Sequence, residues 1–371
     1  MDHICSNKIG VKNMQSYWKK MIVAVLAVVA SAAFATNGYS DTQEPTKTFH
    51  EQGHAKTESQ MMAGYNAPAR VNTHGYDFFT WGSFIYWQAM GEHLALGILP
   101  SVPEDNYSYT QKIYDMDFDW KPGFKVGIGT STDYDHWDFC AEYTWLHGSN
   151  SKRYSPDPTL FIQVPRHLDY EMWANSLYAK WDIDFDILDV ELARSYYVGT
   201  KYSFRTHFGV RAAWLNQEYK ENIYVLESGP HGAGPNWWYY TGKTRNWGVG
   251  PRIGVDINWM FTEGFRFFSN AASSILYSRY RITEKEVNVY SATTSAFETI
   301  YQKNTFHALR PTLEMLGGFG WGTYLGDGEY HFDISAAYEF HIFWNQESMR
   351  FNDMKGDLSL NGLTVTARFD F

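Results

Sequence analysis

The 371 residues carry 31 Lys+Arg against 41 Asp+Glu, a formal charge of −10, with 18% aromatic residues and a mean hydropathy of −0.42. An acidic chain without a basic stretch is no nucleic-acid binder, because binding to a phosphate backbone runs on clustered Lys and Arg. Many rings in a chain that is not greasy suit strands that show rings to lipid and polar groups to water. The single long apolar run, Met21 to Phe34, is too short as a helix to cross the roughly 30 Å hydrocarbon layer, which excludes a polytopic helical membrane protein.

That run reads as a secretory signal peptide. Lys19 and Lys20 form its basic start, Ile22 to Ala30 its apolar centre, and Ala33-Phe34-Ala35 an A-x-A cleavage site, so the mature chain is expected to begin at Thr36. Cleavage removes Cys5 and leaves Cys140 without a partner for an internal disulfide. Residues 36–75 are polar and without periodicity, an N-terminal segment expected to be periplasmic and mobile, and residues 76–371 are expected to form the membrane domain.

From there strict apolar and polar alternation, the mark of a strand with two unlike faces, recurs. Eleven runs carry it: Phe78 to Gln88, Asp117 to Thr130, Trp137 to His147, Trp173 to Phe185, Ile187 to Tyr197, Phe204 to Glu218, Asn246 to Phe261, Phe265 to Arg281, His307 to Gly322, Tyr330 to Trp344 and Leu358 to Phe371. In the seventh, Trp247, Val249, Pro251, Ile253, Val255, Ile257, Trp259 and Phe261 interleave with Gly248, Arg252, Gly254, Asp256 and Asn258. Soluble strands run about 5 to 6 residues and a tilted membrane strand needs about 9 to 11, so such runs cross a bilayer. Trp247 and Trp259 fall where aromatic girdles meet headgroups, and Pro251, lacking an N–H, predicts a bulge.

The last run points Leu363, Val365, Ala367, Phe369 and Phe371 one way and Thr364, Thr366, Arg368 and Asp370 the other. Its aromatic ending on Phe369 and Phe371 resembles the signal read by the outer-membrane assembly machinery. So long an apolar edge needs a closed barrel to cover it. Counted back from a periplasmic Phe371, long and short connections alternate until they break between Gly148 and Ser203. Single-chain barrels have even strand numbers, so one further strand, at Leu160 to Val164, is expected there. The predicted fold is an all-β, antiparallel, up-and-down transmembrane barrel of about twelve strands, with fourteen as the alternative.

On the polar face Arg205, His207, Arg211, Arg252, Arg266, Arg310 and Arg368 alternate with Asp138, Glu142, Asp256, Glu314, Asp333, Glu339 and Asp370. Unpaired charges in a dry interior cost several kcal/mol each, so the face reads as the wall of a water-filled lumen. A small barrel in which the charges lock one another is the competing reading. Catalysis finds no support. In His147-Gly148-Ser149 near neighbours do not set up nucleophilic attack, and Gly317 to Gly322 lacks the helix and Lys of a phosphate cradle. His50 and His54 do not complete a zinc-protease motif, and His331 and His341 are too far apart for one metal. No enzyme activity, metal or cofactor is expected.

The segment Asp119-Trp120-Lys121-Pro122-Gly123-Phe124-Lys125-Val126-Gly127, then Trp137-Asp138 and Tyr143-Thr144-Trp145-Leu146-His147, then Leu188 to Arg194 and Phe208 to Trp214, resembles the pore-forming major outer membrane protein family of legionellae and environmental chlamydiae. The resemblance runs from about Asp77 to Phe371 and implies a signal peptide, an outer-membrane barrel and channel activity. With one mature Cys, the disulfide-crosslinked envelope role of the classical chlamydial proteins is not carried over. The expected function is a porin of the bacterial outer membrane, passing ions and small hydrophilic solutes. The alternative is an adhesin or structural surface protein whose loops Gly148 to Met172, Tyr219 to Arg245 and Ile282 to Phe306 hold a partner. Expected partners are outer-membrane lipid, the assembly machinery and the solutes themselves, with a homo-oligomer allowed and nucleic acid excluded.

Overall fold

The computed structural model describes residue 71 and residues 78–92, 94–100, 111–132, 137–155, 162–164, 172–225, 236–290, 297–347 and 356–371. The expected signal peptide, its cleavage residues Ala33 and Ala35, and nearly all of segment 36–75 lie outside the described residues. In chain order the strands are β1 (Phe78–Gly91), β2 (Gly97–Pro100), β3 (Gln111–Tyr114), β4 (Trp120–Ser131), β5 (Trp137–Tyr154), β6 (Ile162–Val164), β7 (Met172–Ala174), β8 (Ser176–Val198), β9 (Tyr202–Val225), β10 (Asn236–Met260), β11 (Phe265–Tyr290), β12 (Phe297–Leu325), β13 (Tyr330–Glu347) and β14 (Gly356–Asp370).

Ten of them close an antiparallel barrel in the order β1-β14-β13-β12-β11-β10-β9-β8-β5-β4, with β4 returning to β1. The other four form a separate small sheet, β3-β2-β6-β7. The closing seam sets Phe79 opposite Asp370 and Phe84 opposite Val365, so the strand ending at Asp370 is covered as its apolar face requires.

The expected twelve strands are therefore corrected to ten. From Ser176 on, the runs Trp173 to Phe185 and Ile187 to Tyr197 are one strand, β8, with Trp173 and Ala174 in β7, and the described part of the strand expected at Leu160 to Val164, Ile162–Val164, is β6 of the small sheet. The cause is a change of polarity along β8. Near the turn end its inward residues are Asp189 and Glu191 and its outward ones Leu188, Val190 and Leu192, as a strand in lipid demands. Beyond Ile187 the faces exchange character: Leu177, Ala179, Trp181, Ile183 and Phe185 are buried inward, and Lys180, Asp182 and Asp184 face out. The backbone continues while the hydrophobic phase slips by one, and a phase slip reads as a break.

The same inversion extends β9 past Trp214, where Leu215, Tyr219 and Ile223 turn inward and Asn216, Glu218 and Lys220 outward. It likewise adds residues 236–245 to β10 and 282–290 to β11, stretches the sequence assigned to loops. These strands, 24 to 26 residues long, are more than twice what a bilayer requires, so half of each stands beyond the membrane. Short turns at 199–201, 261–264 and 326–329 gather at one end, where Gly199 (φ 61°) and Gly264 (φ 77°) take backbone angles that side chains resist. The bulge expected at Pro251 does not form. Val249 faces Tyr277 and Arg252 faces Ser274, so the ladder to β11 skips the proline without changing register.

Candidate functional site in the barrel lumen

Alternation puts one side chain in two inside the barrel, and the inside divides into two layers. In the half nearer the short turns the inward residues are charged. Arg205 donates to Asp138 at 3.0 Å and to Asp256 at 2.7 Å. Arg211 grips Asp189 through two bonds of 2.7 and 2.6 Å and reaches Glu314 at 2.6 Å. Arg252 pairs with Glu191 and Glu314, its Nη1 lying 3.3 Å from His207 Nδ1. Lys125 pairs with Glu339 at 2.5 Å, and Glu339 also accepts from Thr364 at 2.7 Å and meets His341 at 2.9 Å. Nearer the turns Arg266 pairs with Asp333, and Arg368 and His331 both hold Asp370, at 2.5 and 3.0 Å. The carboxylates outnumber the Lys and Arg in this lattice, and several bonds, such as Arg211 to Glu314 and Lys125 to Glu339, join strands two or three places apart around the barrel.

Between these groups lies a cavity of about 310 Å³, lined among others by Lys125, Glu142, Asp189, Arg252 and Glu339. A second, of about 600 Å³, sits at the turn end beside Ser203, Glu263, Gly264, Tyr324 and His331. Arg205, Arg266, Asp333 and Arg368 border both, so the two are continuous in their walls. Gly127 makes room for one lining ring: a Cβ there would overlap the indole of Trp81, which donates to Glu142 at 2.6 Å.

The layer above is apolar and filled. Ile85, Trp87, Leu146, Trp181, Phe185, Leu215, Leu276, Phe343 and Leu360 are fully buried there, joined by Leu94, Leu96 and Met116 from the connection between β1 and β4. Phe185 meets Phe343 edge to face at 5.6 Å and Phe118 meets Trp181 at 5.6 Å. This layer separates the charged lumen from the end that carries the long connections.

All twelve expected lining residues turn inward. Arg205 is brought to Asp256, Arg211 and Arg252 to Glu314, Arg266 to Asp333, and Arg368 to Asp370. Arg310 stands apart in the apolar layer, donating to the Tyr280 hydroxyl at 3.0 Å. The sequence reading missed Lys125, Asp189, Glu191 and His341 as members of the lattice. Asp189 and Glu191 lay in a strand wrongly cut at Asp186, and Lys125 alternates with Phe124, Val126 and Ile128, a signal that was present. Ser149 stands opposite Asp182, and His147 pairs with Asp184 and Asp186.

Residues 71–371 match the family model described as Legionella pneumophila major outer membrane protein precursor. No curated protein sequence matches the chain. Among solved structures, the Escherichia coli outer membrane protease OmpT is 10% identical, with 81% of this chain and 100% of that one covered and a TM-score of 0.38. A Pseudomonas aeruginosa FadL homologue is 9% identical (80% and 90% covered, TM-score 0.29), and the Pseudomonas putida toluene transporter TodX 10% identical (80% and 89%, TM-score 0.25). Likenesses this distant carry no argument about function.

Proposed function

From the premise that the chain belongs to the Legionella major outer membrane protein family, and so is an outer-membrane β-barrel set in a lipid bilayer, we propose that it is a narrow, gated porin for ions and small hydrophilic solutes. The observation that carries this is the charged, cavity-bearing lumen at the turn end, bounded by one apolar layer. Charges on facing walls hold water and set a field for passing ions. An apolar constriction gates by excluding water, so conduction requires the Phe185 and Phe343 layer to part. We assign no catalytic role, and we retain export through a leader cleaved after Ala35. Single-channel recording of the full chain in a planar bilayer tests the reading: brief, small steps are expected, and silence in both the natural protein and a variant with the layer opened would remove it.

A second reading, a surface protein that holds a partner, is favoured by the rings at the far end of β9 and β10. Trp237 and Tyr239 face outward and are exposed, with Tyr224 packed on Trp237 at 4.5 Å. Ten residues of strand separate Trp237 from Trp247, about 25 Å of height at ordinary rise and tilt, too far for a membrane girdle. Exposed rings at that height suit a glycan or protein partner. Replacing Trp237 and Tyr239 by Ala separates the readings, since attachment would fall while conductance survived.

A further inference from the structure

The outer wall turns basic directly above its lipid-facing belt, on one side of the barrel. On β10, β11 and β12 the exposed, outward residues at this level include six that are basic or His, Lys243, Arg245, Arg279, Arg281, Lys303 and His307, with the neutral Thr305 among them. Register makes them a patch. Arg245 stands opposite Arg281, Arg279 lies between Trp247 and His307, and Thr283 lies between Lys243 and Lys303. Three rows of outward residues on three adjacent strands occupy only about 10 Å by 14 Å of wall. Trp247 is exposed level with Arg279, and in the row immediately beneath Val249, Tyr277 and Leu309 are exposed, the top of an apolar belt whose other edge is marked by Trp259.

Like charges placed directly opposite on paired strands repel, and Arg245 and Arg281 are so placed. Lys243 is relieved by Glu218 at 3.0 Å. Arg245, Arg279 and Arg281 meet no carboxylate among the described residues. Glu218 stands on the adjacent strand β9, and the next outward carboxylates at the same height, Asp182 and Asp184, stand two strands away on β8. A chain with a net charge of −10 has acid to spare, yet among the described residues only Glu218, at the patch's edge, pairs with one of these cations.

We propose that the patch binds the phosphate groups of a phosphorylated lipid headgroup in the outer leaflet. Arginine forks match phosphate oxygens two at a time, and an anion between Arg245 and Arg281 removes their repulsion. A lipid is favoured over a free anion because the cations adjoin the belt: one molecule can set its phosphates on Arg245, Arg279, Arg281 and Lys303 while its acyl chains lie over Val249, Tyr277 and Leu309. This assignment is independent of whether the lumen conducts.

The test reconstitutes the full chain in phosphatidylcholine vesicles containing either bisphosphorylated lipid A or the same lipid dephosphorylated. Lipid retained after detergent extraction is counted by native mass spectrometry. The natural protein is expected to retain the phosphorylated form roughly tenfold or more over the other, as a few juxtamembrane cations suffice for. The pair Arg245→Gln with Arg281→Gln should abolish that preference, and so, separately, should Arg279→Gln with Lys303→Gln. Heat-modifiable mobility scores folding, so if one pair misfolds the other still decides. Equal retention of the two lipids, or a preference that survives in the folded variants, overturns the proposal. So does loss of the preference on adding millimolar inorganic phosphate, which would make the patch a site for the free ion.

Discussion

The rings of Phe185 and Phe343 meet edge to face with centroids 5.6 Å apart, although their strands, β8 and β13, stand on opposite walls of the barrel, five places apart in a circle of ten. Edge-to-face is the geometry that aromatic quadrupoles favour. A barrel of about eight strands is just wide enough for side chains to fill. Ten strands need the largest side chains to meet at the axis, and Phe185, Phe343, Trp87 and Trp181 supply them. Closure is therefore a property of side chains at one level, while the backbone cylinder and the charged lumen next to it remain wide enough for cavities.

Opening that level should raise conductance at a cost in stability. Phe343→Ala removes one of the two rings that meet at the axis and is expected to give larger and longer steps in a planar bilayer. It should also lower stability by about 3 to 5 kcal/mol, the usual range for deleting a buried Phe, read by urea titration in vesicles. A variant that loses stability but conducts as the natural protein does would make the layer plain core, with no part in gating.

The lattice below depends on shared carboxylates. Glu314 serves Arg211 at 2.6 Å and also Arg252, and all three are buried. Glu314→Gln leaves two guanidinium groups sharing too few carboxylates, and about 3 to 5 kcal/mol should be lost on unfolding, as when one partner of a buried ion pair is removed. Combining it with Arg252→Met should restore part of that loss. A double variant whose cost is the simple sum of the two singles would mean that these groups do not act on each other.

Fold class was legible because lipid imposes a strict two-face pattern on each strand within the membrane. The wall residues Arg205, Arg252, Asp333 and Arg368 were legible for the same reason. What stayed hidden was everything beyond the bilayer edge, where water outside and packed side chains inside reverse the pattern. Lys180 and Trp181 exchange the roles that Leu188 and Asp189 hold on the same strand. Once that reversal is allowed for, the two runs of β8 merge and the loop residues of β9 and β10 become strand. The contacts across the lumen were out of reach, since Lys125 and Glu339 are 214 residues apart in the chain and meet only when the barrel closes.

Ion preference follows from the lattice's composition. Asp138, Glu142, Asp189, Glu191, Asp256, Glu314, Asp333, Glu339 and Asp370 face the lumen with fewer Lys and Arg to balance them. Cations should therefore pass more readily than anions, and the reversal potential in a salt gradient should carry the sign of a cation-selective channel. Arg368→Gln, in the accessible turn-end cavity, should strengthen the preference. High salt should weaken it, because the screening length falls to about 3 Å at 1 M. An anion-selective reversal potential would contradict the assignment of these carboxylates to the conducting wall.

Closure of the cylinder concentrates on Phe371 and its neighbours. Its backbone exchanges two hydrogen bonds with Phe78, Phe371 N to Phe78 O at 2.8 Å and Phe78 N to Phe371 O at 2.9 Å, the last rung of the seam between β14 and β1. Its ring stacks on Phe78 at 6.3 Å and lies 5.8 Å from Phe369, which in turn stacks on Tyr330 at 5.7 Å. Four rings thus span three strands at the turn end, and they face lipid, so their loss opens no cavity. Phe369→Ala with Phe371→Ala should accordingly cost little at equilibrium, about 1 to 2 kcal/mol of ring contacts. The rate of closure should suffer more, because the seam joins strands at opposite ends of the sequence and pays the largest loop entropy before its contacts form. Heat-modifiable mobility followed over time in vesicles should show the double variant reaching the natural folded fraction several times more slowly. Unchanged kinetics with a large equilibrium loss would place the role of these rings in the finished barrel and not in its assembly.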